Sequence, residues 1–264
     1  MLADCLKLAL LVSSGCLMAA EPASVVASQQ LRQPIPQLEL DAKGKGSAVI
    51  FIGGFGDEIS GIVPQLMEYL PRLDNRETRA YYHWHAGCPQ DCDKGASQLT
   101  AAIDAYRKKN KHAAVVLIGH SMGASMALRV AEKLSAEAGA VFLVTLDPAD
   151  RSWTPKRPTS VSWWGNAYVV NSQSGHDYIA ALGGRWNACR GADVNLCFDG
   201  READEAGFLY IHDNAISLML SRAHGKHASL YDALSEKLRK EENTAPAGDK
   251  PRQPQSAEQA DTRR

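Results

Sequence analysis

Gly119-His120-Ser121-Met122-Gly123 is the stretch of this chain whose residue types and spacing most directly suggest chemistry. It is a G-x-S-x-G sequence, in which a serine sits in a sharp turn between a strand and a helix. Bulk at either flanking position would meet neighbouring elements, so both are glycine. The helix N-terminus behind the serine supplies positive potential where an oxyanion would develop. A serine hydroxyl is too weakly acidic to attack unaided, so a base must stand beside it and an acid must orient that base.

The late histidines are the candidates for that base. His120 is the immediate neighbour of Ser121 and cannot face it, while His83 and His85 precede it, on or just after an earlier strand. His212 lies where a loop enters the apolar helix that starts near Asn214, and it is the expected base; His176 is also late enough, and His224 and His227 follow that helix. Two acids compete. Asp147 follows the apolar run Val141 to Leu146 and is stopped by Pro148, which places it on a loop at the carboxyl edge of a sheet. Asp177 follows a second strand candidate and also precedes a late histidine; Asp147 is preferred.

An oxyanion needs two backbone N–H donors. One is expected from Met122, the residue after the serine, and the other from the glycine-rich loop Gly53-Gly54-Phe55-Gly56, with Phe55 the first choice and Gly54 the alternative. That loop has neither phosphate-binding nor dinucleotide-binding spacing, so no nucleotide cofactor is expected. No metal is expected either. Trp163 and Trp164, with Trp153 and Trp186, are the aromatic candidates for a substrate pocket.

The elements that must position these residues alternate. Ala48 to Ile52 and Ala113 to Ile118 are continuous apolar runs, as in strands buried on both faces, and Arg79 to Trp84, Ala140 to Leu146 and Tyr168 to Val170 are further strands. Helical spacing covers Ile62 to Tyr69, Ala96 to Lys108, Met122 to Leu134, Asn214 to Ala223 and Ala228 to Arg239. The alternation predicts an α/β fold with a mostly parallel central sheet and helices on both faces.

The chain has 264 residues, 45% of them hydrophobic, and a formal net charge of -1. That suffices for one sizeable core, expected over residues 46–240, and leaves no electrostatic reason to expect nucleic acid. Residues 1–20 read as an export signal: Lys7, an apolar run from Leu8 to Val12, then small residues, with cleavage between 15 and 27. Ser13-Ser14-Gly15-Cys16 resembles a bacterial lipobox, which would put a lipid anchor on Cys16. A periplasmic or secreted location follows as the expectation. Residues 21–45 form a polar leader, and residues 241–264 a polar tail too poor in apolar side chains to fold. Cys88, Cys92, Cys189 and Cys197 fall into two local pairs and are expected as disulfides 88–92 and 189–197.

In order along the chain, Gly53 to Gly56, Gly119 to Gly123, Leu146-Asp147-Pro148-Ala149 and His212 resemble the motifs of the α/β-hydrolase superfamily, particularly its lipase and esterase members. The segment around Asp147 is similar to the one that carries the acid in pancreatic-type lipases, and this resemblance is the main reason for preferring Asp147. It implies an α/β-hydrolase-type fold, an acyl-enzyme mechanism and an acyl-ester substrate, which could be a lipid. The glycine loop lacks the leading histidine of the HGGG pattern, and no long apolar lid is visible.

Overall fold

The computed structural model describes residue 40 and residues 46–83, 92–111, 113–135, 139–151, 154–172, 175–226 and 228–244. Six strands form one sheet: β1 (Ala48–Gly53), β2 (Thr78–His83), β3 (Val115–His120), β4 (Val141–Leu146), β5 (Val161–Val170) and β6 (Val194–Asp199). Their order across the sheet is β2-β1-β3-β4-β5-β6, and every neighbouring pair is parallel. The helices are α1 (Asp57–Ser60), α2 (Ile62–Tyr69), α3 (Cys92–Lys109), α4 (Met122–Lys133), α5 (Gly175–Gly183), α6 (Ala215–Leu220) and α7 (Leu230–Thr244).

Unbroken apolar strands become central strands because both sheet faces are covered. Along β1, Val49 and Phe51 enter the core under α2, α6 and α7, while Ile50 and Ile52 enter the opposite core under α3 and α4. The same alternation in β3 and β4 sends Val116 and Val144 one way and Leu117 and Leu143 the other. A parallel sheet of this kind collects the loops after its strands along one edge, and the residues that could do chemistry lie there.

Three departures from the expected elements have physical reasons. β5 begins at Val161, so Trp163 and Trp164 belong to a strand and not to a pocket wall. They point to opposite faces and are 2% and 0% exposed, one in each core, which removes both as substrate-contacting residues. Trp164 also spends its indole N–H on Thr145 Oγ1 at 3.0 Å. Trp186 is likewise buried, with its N–H on the Asp150 carbonyl, and Trp153 lies outside the described residues.

The Cys189–Cys197 bridge is not formed: both are free thiols, Cys189 buried and Cys197 exposed on β6. The Asn195 side chain closes this segment instead, accepting the Cys189 N–H at 2.9 Å and donating to its carbonyl at 3.2 Å. Burial pushes the Cys189 thiol up to about 12, which keeps it from acting as a thiolate. Cys88 and the Cys92 side chain lie outside the described residues.

Helix α7 continues to Thr244, past the expected end of the domain at 240. Lys, Arg and Glu are good helix formers, and Glu236 pairs with Lys240 one turn on, so a polar stretch extends a helix whose first turns are anchored by Leu230, Leu234 and Leu238. Residues 1–39, 41–45 and 245–264, which contain the expected signal, Cys16, nearly all of the leader and most of the tail, are not among those described. Among the described residues no helix is long and apolar enough to cross a membrane.

Candidate active site

Ser121 occupies the turn between β3 and α4 with φ 55° and ψ −127°, a conformation that L-residues seldom adopt and that costs about 1–3 kcal/mol. The flanking glycines make the turn possible. A Cβ on Gly123 would lie 2.2 Å from the Ile52 carbonyl oxygen, and one on Gly119 would lie 2.5 Å from that of Gly123. Backbone bonds hold the turn against the end of β4: Ser121 N–H donates to Leu146 O at 3.0 Å, and Ala149 N–H to Ser121 O at 3.2 Å.

Asp147 is the next residue after β4 and is also strained, at φ 38°. Its side chain is fully buried. Oδ2 accepts the His212 Nδ1–H at 2.6 Å, and Oδ1 accepts the Val169 N–H at 3.0 Å. A carboxylate accepting at Nδ1 fixes the proton there, which leaves Nε2 bare on the other side of the ring. The Ser121 hydroxyl lies 3.0 Å from that Nε2. One imidazole thus links Ser121 to Asp147 in a continuous chain of hydrogen bonds, the arrangement needed to remove a proton from a serine.

His212 sits two residues before the N-cap of α6. Asn214 Oδ1 accepts the Ser217 N–H at 3.1 Å, and Asn214 Nδ2 donates to Leu209 O at 3.1 Å, so the cap fixes the loop as well as the helix. The His212 backbone is gripped from both sides. Its N–H donates to Asp177 Oδ1 at 3.2 Å, and its carbonyl accepts from His120 Nε2 at 2.7 Å. His120 is buried beside it, with ring centroids 4.7 Å apart. Burial, with the His212 ring as a smaller cause, pushes His120 down to about 3, so it stays a neutral donor.

Asp177, the competing acid, therefore reaches the main chain of His212 while Asp147 reaches its ring. The geometry brings Ser121, Asp147 and His212 together and sets Asp177 behind them; the His176 side chain lies outside those described. Arg185 had no signal in the sequence beyond being a lone cation after Gly183-Gly184. Its Nη2 forms an ion pair with Asp147 Oδ2 at 3.0 Å and donates to Asp177 Oδ1 at 2.6 Å.

The glycine loop after β1 lies directly against the serine turn. A Cβ on Gly54 would fall 2.7 Å from Ser121 Cβ and 3.2 Å from the Met122 nitrogen, so only glycine permits this approach. Asp57, one turn on, is buried and anchors the loop: Oδ2 accepts from the Tyr81 hydroxyl at 2.7 Å and Oδ1 from the Val63 N–H at 3.1 Å. Burial raises the Asp57 carboxyl above its usual range, against the lowering effect of these hydrogen bonds. Phe55, between them, is half exposed.

The profile of the alpha/beta hydrolase family matches residues 49–236. No curated protein matches the sequence. Among solved structures, a protein assigned as a cell surface hydrolase of Lactobacillus plantarum WCFS1 is 13% identical, with a TM-score of 0.41, over 66% of this chain and 90% of its own. RedJ is 15% identical with a TM-score of 0.32, over 75% of this chain and 81% of its own. The metagenomic carboxyl esterase MGS0156 is 14% identical with a TM-score of 0.28, over 53% and 54%. These likenesses are distant, and no functional conclusion rests on them. With the profile spanning most of the chain and the sheet in place, the chain belongs to the alpha/beta hydrolase family.

Proposed function

We propose that the protein is an exported serine hydrolase that cleaves carboxylic esters through an acyl-enzyme. The observation that carries this reading is His212, hydrogen-bonded to Ser121 Oγ at one ring nitrogen and to Asp147 at the other. In the first half-reaction Ser121 Oγ attacks the acyl carbonyl as its proton passes to His212 Nε2, and Asp147 stabilises the imidazolium. The N–H groups of Phe55 and Met122 hold the oxyanion, in keeping with the close approach of the glycine loop to the Met122 nitrogen. His212 then gives the proton to the departing alcohol. Water repeats the sequence to release the acid.

An apolar acyl group suits the surroundings. Phe55 is on the glycine loop that abuts Ser121, and Phe208 and Leu209 stand shortly before His212 in the chain; they are exposed at 49%, 63% and 51%. The turn bearing Phe208 and Leu209 is held firmly, because Asp204 Oδ1 accepts from the N–H groups of Ala206 and Phe208. Export rests on the signal-like residues 1–20, and a lipid anchor on Cys16.

A fluorophosphonate tests the nucleophile, since it should label the wild type and leave Ser121→Ala untouched; an unlabelled wild type rejects the reading. Chromogenic esters, thioesters and amides then separate esterase from thioesterase, amidase and peptidase activity. Mass measurement of the mature chain from fractionated cells tests export, and an uncleaved cytoplasmic chain would reject it.

A further inference from the structure

Two carboxylates and one guanidinium surround His212 in a buried cluster. Arg185 Nη2 bridges Asp147 Oδ2 and Asp177 Oδ1, and Arg185 Nη1 reaches Val169 O at 3.4 Å. The Arg185 side chain is only 15% exposed. Its Nε is buried without a hydrogen-bond partner among the described residues, so charge holds this side chain more than full satisfaction of its donors. Asp177 accepts from Arg185, the His212 N–H and the Ser172 hydroxyl.

The same Asp147 oxygen receives both the His212 ring proton and the Arg185 cation. While His212 is neutral the cluster carries one net negative charge. Once Ser121 has given up its proton and His212 is an imidazolium, the cluster carries none. Without Arg185 a second uncompensated negative charge would draw a proton onto His212 from solution, and the base would be spent before substrate arrived.

We propose that Arg185 and Asp177 are positioning residues that set the pH above which His212 acts as a base, through opposite charges placed on Asp147 and on the His212 backbone. The other titratable groups facing His212 are the same in every variant below. His120, from the end of β3, is neutral and spends its Nε2–H on the His212 carbonyl, and Asp147, from the end of β4, is common to every variant below. On His212's own loop, Asp213 is likewise unaltered. The effect on catalysis rests on the nucleophile and base proposed above, whereas the titration of His212 does not.

The test is an NMR titration of the His212 ring in the full-length protein, its signal assigned by loss in His212→Gln. Arg185→Gln should move the midpoint to higher pH and Asp177→Asn to lower pH. Each shift should be about two pH units, as expected for a unit charge about 5 Å away at an effective dielectric of about 20. Arg185→Lys keeps the charge and should stay near the wild type. The charge-balanced double variant Arg185→Gln/Asp177→Asn should return to within about half a unit of it. The pH at which fluorophosphonate labelling reaches half its maximal rate should follow the same order. Midpoints that do not move, or that move the same way in both single variants, overturn the proposal. If Arg185→Gln does not fold, Asp177→Asn and the double variant decide the matter, because an unshifted Asp177→Asn alone is incompatible with it. Failure of the functional reading looks different: the wild type goes unlabelled at every pH, and the NMR midpoints still separate the variants.

Discussion

His120 Nε2–H donates to the His212 carbonyl oxygen at 2.7 Å, so the neighbour of Ser121 in sequence holds the backbone of a histidine 92 positions later. The side chain that cannot face Ser121 is turned instead toward the loop that must deliver His212 to it. His120 makes this contact as a neutral imidazole, because burial disfavours its charged form. Ionisation of His120 is pushed from about 6.5 in the unfolded chain down to about 3 in the folded one.

That difference has a direct consequence for stability. Below about pH 6.5 the unfolded chain takes up a proton at His120 that the folded chain refuses, so acid favours unfolding by about 1.4 kcal/mol per pH unit. The contribution is absent above the unfolded value and grows as pH falls toward 3. His120→Gln keeps a donor for the His212 carbonyl but cannot titrate. The stability advantage of the wild type over His120→Gln should therefore shrink between pH 7 and pH 5, measured by urea unfolding. A constant gap would show that His120 titrates normally.

Ser121→Ala and His212→Ala should each lower turnover by roughly 10⁴ or more with the fold intact, because neither side chain holds the sheet together. The pair of acids gives a sharper contrast. Asp147→Asn should cost about 10³–10⁴ in kcat, since an amide at Nδ1 both loses the charge and favours the wrong tautomer. Asp177→Asn should retain turnover within about tenfold at its own pH optimum, because Asp177 touches the main chain of His212 and not its ring. The reverse ranking would make Asp177 the working acid.

How far the site could be read in advance depended on whether each residue carried its own local signal. Ser121 did, because the two glycines around it are demanded by contacts that any Cβ would break. His212 stood out by its place before an apolar helix, and Asp147 by Pro148 closing a strand. Asp147 and Asp177 were nonetheless alike locally, each an acid after a strand, and only the fold decides which one meets a ring nitrogen. Arg185 was invisible, since a single arginine after a turn has no periodicity to mark it. Among the elements, β6 went unread because Val194–Asp199 is an edge strand with polar residues at Asn195 and Asp199 and an exposed Cys197. α5 was hidden by its mixed start, and the Trp163-Trp164 pair looked like loop aromatics because a strand buried on both faces does not alternate.

Gly123→Ala should be among the most damaging small substitutions. The added methyl would meet the Ile52 carbonyl at 2.2 Å and the Gly53 backbone at 2.8 Å, so β1 and α4 must move apart. Overpacking between backbones of this kind costs about 1–3 kcal/mol or more. The same displacement would carry the glycine loop away from Ser121, so labelling by a fluorophosphonate should fall together with the unfolding midpoint. Full labelling in a destabilised protein would show that the loop and the serine turn move independently.

Tyr81→Phe reaches the glycine loop from beneath. The Tyr81 hydroxyl donates to Asp57 Oδ2 at 2.7 Å, and Gly53 must be glycine because a Cβ there would meet that carboxylate at 2.2 Å. Removing the hydroxyl leaves a buried carboxylate oxygen short of a donor, at a cost of about 1–3 kcal/mol. Burial already raises the Asp57 carboxyl, and the Tyr81 bond is the largest influence pulling it back down. A carboxyl raised by folding contributes stability in acid that is lost as pH rises through its folded value. Tyr81→Phe raises it further, so the penalty should be largest at pH 7 and should diminish as the pH approaches the carboxylate range. Urea unfolding of both proteins at pH 7 and pH 5 measures this, and a penalty equal at the two values would mean that Tyr81 acts on Asp57 by packing alone. In the same variant the labelling rate of Ser121 should drop by about tenfold while His212 titrates unchanged, because the loss falls on the loop proposed to hold the oxyanion and not on the base.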